Sequence, residues 1–407
     1  MVLASDLASA NGRFLLPRGT VLDAKQMRIL KIWGIDEADV EGVSREETLA
    51  QPPAGLDPEL LAQSRDFVEV LFRFAPATHE AMQELKRLCV RKSTERLAAG
   101  KPLPTLCPLP RPEIAGTAGH PEELPPTSPR AMARREVQLA SFPDIYFQIM
   151  DVLNNPRSSV AHTADVVGKD PSLAVKLLRV VNSPFYGFPS RVDSISRAVT
   201  LVGANELSLL ALGVSVVQYF EDIPPEIMDM KRFWKHSIAT GVYARILAGH
   251  KPGFSEERFF LGGLIHDIGR LAILKNFPHT ANKALKLACS KPCMLFEAEI
   301  ETMGFDHAAV AGCLLNEWKF PAGLEQMVRY HHAPEAATNP AEPAILHLAD
   351  IMARTLSVLT LDIAYVPRLH EEAWNAVGIT PGALAAAASQ AEHLIHDIFQ
   401  TFLGVEL

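Results

Sequence analysis

The sequence predicts a mostly α-helical protein, in which a helical bundle body follows a small α+β module and a helical segment. Downstream of Arg130, segments of helical periodicity follow one another and no strand-like alternation is sustained. Strand and turn signals are concentrated near the N-terminus, and a proline-rich stretch separates them from the body. At 407 residues the chain is too long for one compact core, so two or three units are expected.

The small α+β module is predicted for residues 1–45. Turn signals at Asn11-Gly12 and at residues 17–19 separate apolar-rich segments, which is typical of a β-hairpin. Residues 24–33 have helical spacing, and a short strand at residues 38–41 would return to the hairpin. Nothing in this module has the pattern of a chemical site.

Residues 56–100 predict a helical segment in two parts, with a break near residues 75–77. Its apolar positions follow the helical period and charged residues fill the other face, which indicates a helical hairpin or a stalk. Nine of the 30 prolines then fall in residues 101–130. Because proline fixes φ and removes an amide donor, this Pro-rich stretch is predicted as an extended linker, or alternatively as an ordered surface loop.

The body is predicted for residues 137–356, and residues 357–407 are predicted as its C-terminal helical extension. Its clearest helical segments, separated by short turns, are residues 143–153, 172–181, 205–219, 233–248, 308–318 and 344–356. In the extension, residues 381–402 predict an alanine-rich helix with apolar residues on one side. That helix either caps the bundle or pairs with a second copy, so a homodimer is one expectation.

Composition and charge exclude several classes of protein. The chain has 39 Lys and Arg against 47 Asp and Glu, a net charge of −8, which argues against binding nucleic acid by phosphate neutralisation. The longest apolar run, residues 207–220, is shorter than the roughly 20 residues that span a bilayer. Residues 1–12 lack the features of a secretory signal, and five irregularly spaced cysteines predict no disulfide framework. We therefore expect a soluble, cytoplasmic protein that does not contact membranes.

Seven histidine and aspartate residues in the second half of the body are candidate metal ligands. Each lies in or beside an apolar helical stretch, where a polar side chain is costly unless it is paired or bound to metal. A single histidine of this kind is more often a satisfied core residue, but side chains from five sites on successive helices would meet inside a bundle. The candidates are His236, His266, Asp267, His307, His331, His332 and Asp350.

Imidazole and carboxylate together suit a divalent transition metal, so iron, manganese, nickel or zinc is expected. Seven ligands are more than one tetrahedral ion needs, which indicates either two ions or one octahedral ion. Neighbours on a helix point about 100° apart, so His266 and Asp267 reach one site only if it lies over the seam between them. Gly262, Gly263 and Gly269 flank this pair, and their missing side chains let other helices approach closely.

The ordered set His236, His266-Asp267 and Asp350 resembles the HD superfamily of metal-dependent phosphohydrolases. The additional His307 and His331-His332 resemble the ligand set of its cyclic-dinucleotide phosphodiesterase branch, the HD-GYP proteins. After the histidine pair the sequence lacks the Glu and the Gly-Tyr-Pro of that branch, so cyclic di-GMP hydrolysis is not expected. Arg270 stands where HD phosphodiesterases usually have Lys, and its guanidinium would either hold a phosphate bidentately or lie at a solvated helix end.

A second resemblance is more specific and covers about residues 142–354. The run KDPSLAVKLLRVVNSPFYGFPSRVDSISRAVTLVGANELSLLAL at residues 169–212 is similar to the hallmark of the HDOD domain, with its Asp-Pro, its Asn-Ser before an aromatic residue and its Leu-x-Gly. The segments GFDHAAVAGCLLNEWKFP and HHAP also resemble HDOD signatures. The resemblance implies an HD-like all-helical fold and a role as a signalling output domain, in which some metal ligands are commonly missing.

Asn182, Ser183 and Tyr186 lie in the NSPFYG turn at the end of a predicted helix. Asn and Ser cap helices and Pro stops them, so one interpretation is a structural role, in which Asn182 bonds the backbone of the next segment. The other is a loop that contacts a peptide or nucleotide ligand.

The sequence leaves two functions open. In the first, the body is a signal-transduction output module that binds a signalling protein or a nucleotide second messenger, and any metal is structural. In the second, the chain is a metal-dependent phosphohydrolase, a phosphodiesterase or nucleotide phosphatase, with Asp267 and Arg270 as candidate catalytic residues. The first is preferred as the biological role.

Overall fold

The computed structural model of this protein describes residues 2–8, 14–23, 26, 38, 40–42, 57–75, 78–104, 128–139, 144–155, 159–224, 228–291, 293–357 and 365–403. The N-terminal residues among them pair as a small sheet. Leu7–Ala8 (β1) and Phe14–Leu16 (β2) form an antiparallel ladder in which Leu7 lies opposite Leu16. An isolated bridge joins Leu3 to Val40, so the predicted return of the chain to the hairpin is present. Most of the predicted helix at residues 24–33 and the turn at Asn11-Gly12 lie outside the described residues.

The segment predicted at residues 56–100 consists of two helices, Pro58–Leu71 (α1) and Glu80–Ala98 (α2), which pack against each other. Asp57 begins α1, because its carboxylate accepts a hydrogen bond from a first-turn amide. The buried side chains of both helices join the main core of the body. The Val366 amide also donates to the Leu71 carbonyl at 2.9 Å. Of the two alternatives, the structure shows a hairpin that is packed on the body.

The body is helical throughout the described residues, which confirms the predicted fold class. The six predicted segments match observed helices to within three residues at each end. In chain order its helices are Pro129–Leu139 (α3), Asp144–Asn154 (α4), Val160–Gly168 (α5), Pro171–Val181 (α6), Ile195–Val202 (α7), Ala204–Tyr219 (α8), Met230–Gly249 (α9), Glu256–Ile265 (α10), Ile268–Asn276 (α11), Pro278–Ser290 (α12), Leu295–Met303 (α13), His307–Glu317 (α14), Ala322–Arg329 (α15), Ala341–Leu356 (α16), Glu371–Val377 (α17) and Pro381–Leu403 (α18).

Helix α3 begins inside the stretch that was predicted as linker. Pro129 is the first residue of this helix. A backbone amide in the first turn has no acceptor within the helix, so the missing amide hydrogen of proline breaks no helical hydrogen bond there. Glu136 on α3 is buried, and its carboxylate accepts hydrogen bonds from Lys275 (2.9 Å), Tyr219 and Asn276. The helix therefore packs on the body, whereas residues 105–127 of the predicted linker lie outside the described residues.

Two glycines let the helices that frame the centre of the body approach closely. A Cβ at Gly263 on α10 would lie 2.3 Å from the backbone nitrogen of Gly241 on α9. A Cβ at Gly269 on α11 would lie 2.0 Å from the carbonyl oxygen of His307, at the start of α14. Real Cβ contacts are never this short, so the close approach predicted at these glycines is confirmed.

Helix α18 packs on α9, α2 and α6 and so caps the bundle, one of its two predicted roles. Pairing with a second copy stays a prediction. Among the described residues, no individual helix combines the length and apolarity needed to cross a membrane; α7 and α8 meet that test only jointly and are bent by 117° at their junction. Cys289 is disulfide-bonded, while Cys89, Cys293 and Cys313 are free, so the described cysteines do not form a disulfide framework.

Candidate metal centre

All seven predicted ligand residues meet in one buried cluster in the middle of the body. They come from five places in the chain, and none exposes more than 8% of its surface. His236 lies on α9 and Asp350 on α16, while His307 is the first residue of α14. His331 and His332 follow α15 directly. His266 and Asp267 occupy the junction between α10 and α11, so they do not point apart as neighbours within one helix would.

One part of the cluster is formed by the four residues of the His … His-Asp … Asp set. His236 Nε2 lies 3.0 Å from Asp350 Oδ1, and His266 Nε2 lies 3.8 Å from the same oxygen. The separation of His266 Nε2 from Asp267 Oδ1 is 3.4 Å. Donor atoms of His236, His266 and Asp267 all lie within 4.8 Å of one another, which is close enough for one ion to contact all three.

His307, His331 and His332 form a second group whose donor atoms also lie within 4.8 Å of one another. The Nε2 atoms of His307 and His332 are 3.0 Å apart. Asp267 Oδ1 lies between the two groups, 3.0 Å from His307 Nε2 and 3.9 Å from His331 Nε2. Asp267 is therefore the carboxylate that both groups share.

Hydrogen bonds to the outer ring nitrogens orient two of the imidazoles toward the centre. His266 Nδ1 is 2.8 Å from the Gly263 carbonyl oxygen, and His331 Nδ1 is 2.7 Å from that of Val328. Because a carbonyl only accepts, each Nδ1 carries the proton and each Nε2 presents a lone pair inward. This is the tautomer that a metal ligand requires.

Several inward-facing ligand atoms lack a well-formed hydrogen bond. His266 Nε2 and His331 Nε2 are buried and make no hydrogen bond within the described part of the chain, whereas His236 Nε2 and Asp267 Oδ1 have only contacts of poor hydrogen-bond geometry, at 3.0 Å, with Asp350 and His307. Leaving one buried polar group unsatisfied costs about 1–3 kcal/mol, so this cluster needs an explanation. A divalent cation would satisfy all four atoms, and the residues present therefore fit a transition-metal ion.

The sequence model of the HDOD domain family matches residues 139–334. The chain carries an HDOD domain. The match includes six of the seven candidate ligands, and Asp350 lies beyond it.

Solved structures share the fold of the HDOD domain and its surroundings. An "HDOD domain protein with unknown function" from Geobacter sulfurreducens superposes with a TM-score of 0.55 at 21% identity, covering 68% of this chain and 98% of that one. A "Putative phosphohydrolase" from Shewanella amazonensis gives 0.54 at 23% identity, covering 67% and 98%. A "Putative signal transduction protein" from Marinobacter aquaeolei gives 0.53 at 20% identity, covering 70% and 68%. At these identities the likeness concerns the fold alone.

An uncharacterized protein of Treponema pallidum is 24% identical over 224 residues. The matched region is 54% of this chain, and it spans 42% of the relative's length.

Burial and neighbouring charges set the protonation of the HDOD centre. Burial lowers the pKa of His236 to about 4 and that of His331 to about 3, so both are neutral and ready to bind metal at pH 7. Burial also opposes protonation of His307, but the carboxylates of Glu299 and Asp267 outweigh it and raise the pKa of that imidazole to about 10. Despite burial, the cations around Asp267 hold its pKa well below the ordinary value.

Each aspartate of the centre contacts a guanidinium. Arg270 Nη1 donates to Asp267 Oδ2 at 3.1 Å, which leaves Oδ1 to the cluster. Arg354 Nε lies 2.9 Å from both oxygens of Asp350. Arg270 is only 6% exposed, so it is not at a solvated helix end. It contacts the Asp267 carboxylate, and its catalytic role stays a prediction.

Three residues that sequence analysis missed support the ligands. Glu299 on α13 accepts from the backbone amide of His307 at 2.9 Å and lies 2.6 Å from its Nδ1. His347 Nδ1 lies 2.8 Å from the carbonyl oxygen of His331. Arg354 follows Asp350 by one helical turn, a spacing that could have identified it. Glu299 is eight residues before His307 in another helix, where periodicity gives no signal.

The centre is closed on the side of His332. The ring of Phe296, also on α13, stacks on the His332 imidazole with a centroid distance of 4.4 Å and an interplanar angle of 23°. Phe296 itself is partly exposed and so lies between His332 and solvent. With every ligand buried, entry to the centre requires movement of a covering side chain.

The predicted partner loop lies away from this centre, where α6 ends. Asn182 donates through Nδ2 to the carbonyl oxygens of Leu178 (2.7 Å) and Val192 (2.8 Å), and its Oδ1 accepts from the Val192 amide at 2.7 Å. Ser183 Oγ donates to the Val180 carbonyl at 2.7 Å. The structural interpretation thus accounts for Asn182, and a ligand-binding role of the loop stays a prediction.

Proposed function

We propose that this protein is a signal-transduction output protein whose HDOD domain is built around one or two divalent transition-metal ions. The observation that carries the proposal is the meeting of buried ligand atoms of His236, His266, Asp267 and His331, of which His266 Nε2 and His331 Nε2 have no hydrogen-bond partner among the described residues. An apolar core tolerates unsatisfied polar atoms only if something binds them.

The ligand set divides into two groups around Asp267. His236, His266 and Asp350 would hold an ion on one side of this carboxylate. The remaining ligands, His307, His331 and His332, would hold one on the other side. Imidazole nitrogens with a minority of carboxylate oxygens favour iron, manganese, nickel or zinc over magnesium or calcium.

Closure of the centre favours signalling over catalysis. All seven ligands are buried and Phe296 covers His332, so the described residues leave a substrate no open path to the ligand cluster. Both aspartates are also held by arginines, which fixes the cluster as a rigid structural core. In this function the body presents its outer surface to a signalling protein or a nucleotide, and the metal stabilises the fold.

Metal-dependent phosphohydrolysis is the second candidate. The position of Asp267 between two ligand groups favours it, since a divalent ion there would activate a water molecule for attack on phosphorus. The structure from Shewanella amazonensis that shares this fold carries the name "Putative phosphohydrolase". In this function Arg270 orients Asp267 by holding Oδ2, and Asp267 Oδ1 faces the reacting centre.

Metal analysis of protein purified without chelator tests the metal centre. We expect one or two transition-metal ions per chain in the wild type, a loss of more than about tenfold in His266→Ala, and no change in His250→Ala, an exposed histidine on the same body. Substoichiometric metal in the wild type, or metal content that His266→Ala leaves unchanged, would overturn the proposal.

Hydrolysis of a generic phosphodiester with Mn²⁺, Fe²⁺ or Ni²⁺ distinguishes the two functions. A signalling module gives no turnover that depends on Asp267. Turnover that is abolished by Asp267→Ala would establish the phosphohydrolase and contradict the preferred function.

A further inference from the structure

The loop that follows α6 is rigid. The side-chain amide of Asn182 bonds both backbone groups of Val192, so the two ends of the loop are held together. Within it, the rings of Tyr186 and Phe188 stack at 10° with centroids 5.8 Å apart. A loop held in one conformation binds a ligand without a large ordering cost.

Arg245 on α9 fixes this loop to the body and forms a flat platform with Phe185. Its Nη1 donates to the Phe185 carbonyl at 2.7 Å, and its Nε donates to Glu256 at 3.0 Å. The guanidinium carbon lies 3.8 Å from the centroid of the Phe185 ring. The charge of Arg245 and two of its hydrogen bonds are thereby already used.

A cavity of about 450 Å³ lies between the loop, α9 and α18. Its volume is within the range of small-molecule sites, about 300–1,000 Å³. Unlike the metal centre it opens to solvent, through exposed residues of α18. The lining combines apolar side chains with a few polar groups, and includes Phe185, Val242, Arg245, Ile246, Gln390 and His393.

His250 and Glu256 also line the cavity, Glu256 being paired with Arg245, and the hydrogen-bonding groups that α18 offers a ligand are Gln390 and His393. They are three residues apart on α18, so both face the same side of that helix. Both are exposed, and no contact within the described chain occupies either side chain. Arg245 is the arginine of the lining, and its ion pair with Glu256 at 3.0 Å means that this guanidinium is not a free charge for a phosphate.

We propose that this cavity binds the adenine base of a nucleoside or nucleotide. Adenine presents a ring nitrogen that accepts a hydrogen bond beside an amino group that donates one. The side-chain amide of Gln390 can donate to the first and accept from the second. Guanine presents two acceptors on the same edge and needs Arg or Lys, but Arg245 is committed to Phe185 and Glu256. The base would stack on the guanidinium of Arg245, as planar bases do on arginine. This inference rests on the signalling role and gives it a ligand class.

Calorimetric titration of the full chain with adenosine, AMP, guanosine and cytidine tests the proposal. We expect adenosine and AMP to bind with similar Kd, because the phosphate lies outside the cavity, and guanosine and cytidine to bind at least about tenfold more weakly. Gln390→Leu should weaken adenosine binding at least about tenfold, whereas Gln400→Leu, the same change further along α18, should not alter it.

The inference would be overturned by no saturable adenosine binding at millimolar concentration, by equal binding of all nucleosides, or by adenosine binding that Gln390→Leu leaves unchanged. Binding that requires the phosphate of AMP would also contradict it. His266→Ala, which removes the metal, should retain adenosine binding. A failure here therefore leaves the metal measurements untouched, and a failure of the metal centre leaves this cavity testable.

Discussion

Replacing Glu299 by Gln removes the charge that fixes His307 while keeping the shape of the side chain. In the metal-free protein the pKa of His307 rises from 6.5 to about 10, despite the opposing effect of burial, because of Glu299 and Asp267. A difference of about 3.5 in pKa corresponds to roughly 5 kcal/mol of folding free energy. The nearer carboxylate is Glu299, at 2.6 Å against 3.0 Å for Asp267, so we assign about half of the effect to it.

Glu299→Gln should therefore lower the free energy of unfolding by roughly 2–3 kcal/mol at pH 6.5 in the presence of chelator. The folded-state pKa of His307 is raised, so its stabilisation is complete below pH 6.5 and is lost as the pH rises toward 10. The stability difference between wild type and Glu299→Gln should consequently shrink between pH 6.5 and 10.

Urea unfolding followed by circular dichroism at several pH values measures this difference. Glu301→Gln is the matched control, because Glu301 lies on the same helix, is half exposed and pairs with Lys291. Its effect should stay within about 0.5 kcal/mol. A Glu299→Gln variant as stable as the control, or a difference that does not vary with pH, would refute the assigned role of Glu299.

Three further variants test the close approach of two helices, the cover over the metal centre and the hydrogen bonds of Asn182. Gly269→Ala places a Cβ 2.0 Å from the His307 carbonyl oxygen and should force α11 and α14 apart, which lowers Tm by several degrees or more. The control Gly168→Ala, whose Cβ meets nothing within 4 Å, should be tolerated, and equal Tm values for the two variants would be inconsistent with the close approach. Phe296→Ala should speed the transfer of metal to a competing chelator without changing the number of ions bound, and an unchanged rate would show that Phe296 is not the cover. Asn182→Ala removes the two bonds to Val192 and should cost about 1–3 kcal/mol and accelerate hydrogen exchange of the Val192 amide; full protection of that amide would contradict the clamp.

The helical body was predictable from the sequence because amphipathic periodicity is a local property. The predicted segment at residues 308–318, for example, is observed at His307–Glu317. Convergence of the ligands followed from one further argument, namely that inward-facing positions of successive helices meet in a bundle.

Long-range pairing was not predictable in the same way. The bond from Glu299 to His307 depends on how α13 lies against α14, which neither helix encodes in its own periodicity. Arg270 was predicted to meet a phosphate or solvent, whereas the turn between α10 and α11 places it on Asp267. Pro129 was assigned to the linker because proline density is high there, although proline also begins helices. The domain boundaries and the homodimer stay predictions.

We expect the buried His and Asp cluster to bind a transition-metal ion. Anomalous diffraction from crystals of protein purified without chelator, recorded at the absorption edges of iron, manganese, nickel and zinc, tests it most directly. We expect a strong anomalous peak about 2.0–2.2 Å from Asp267 Oδ1 and from His266 Nε2. An ordered cluster without any anomalous peak, in which His307 donates its Nε2 proton to Asp267, would contradict it.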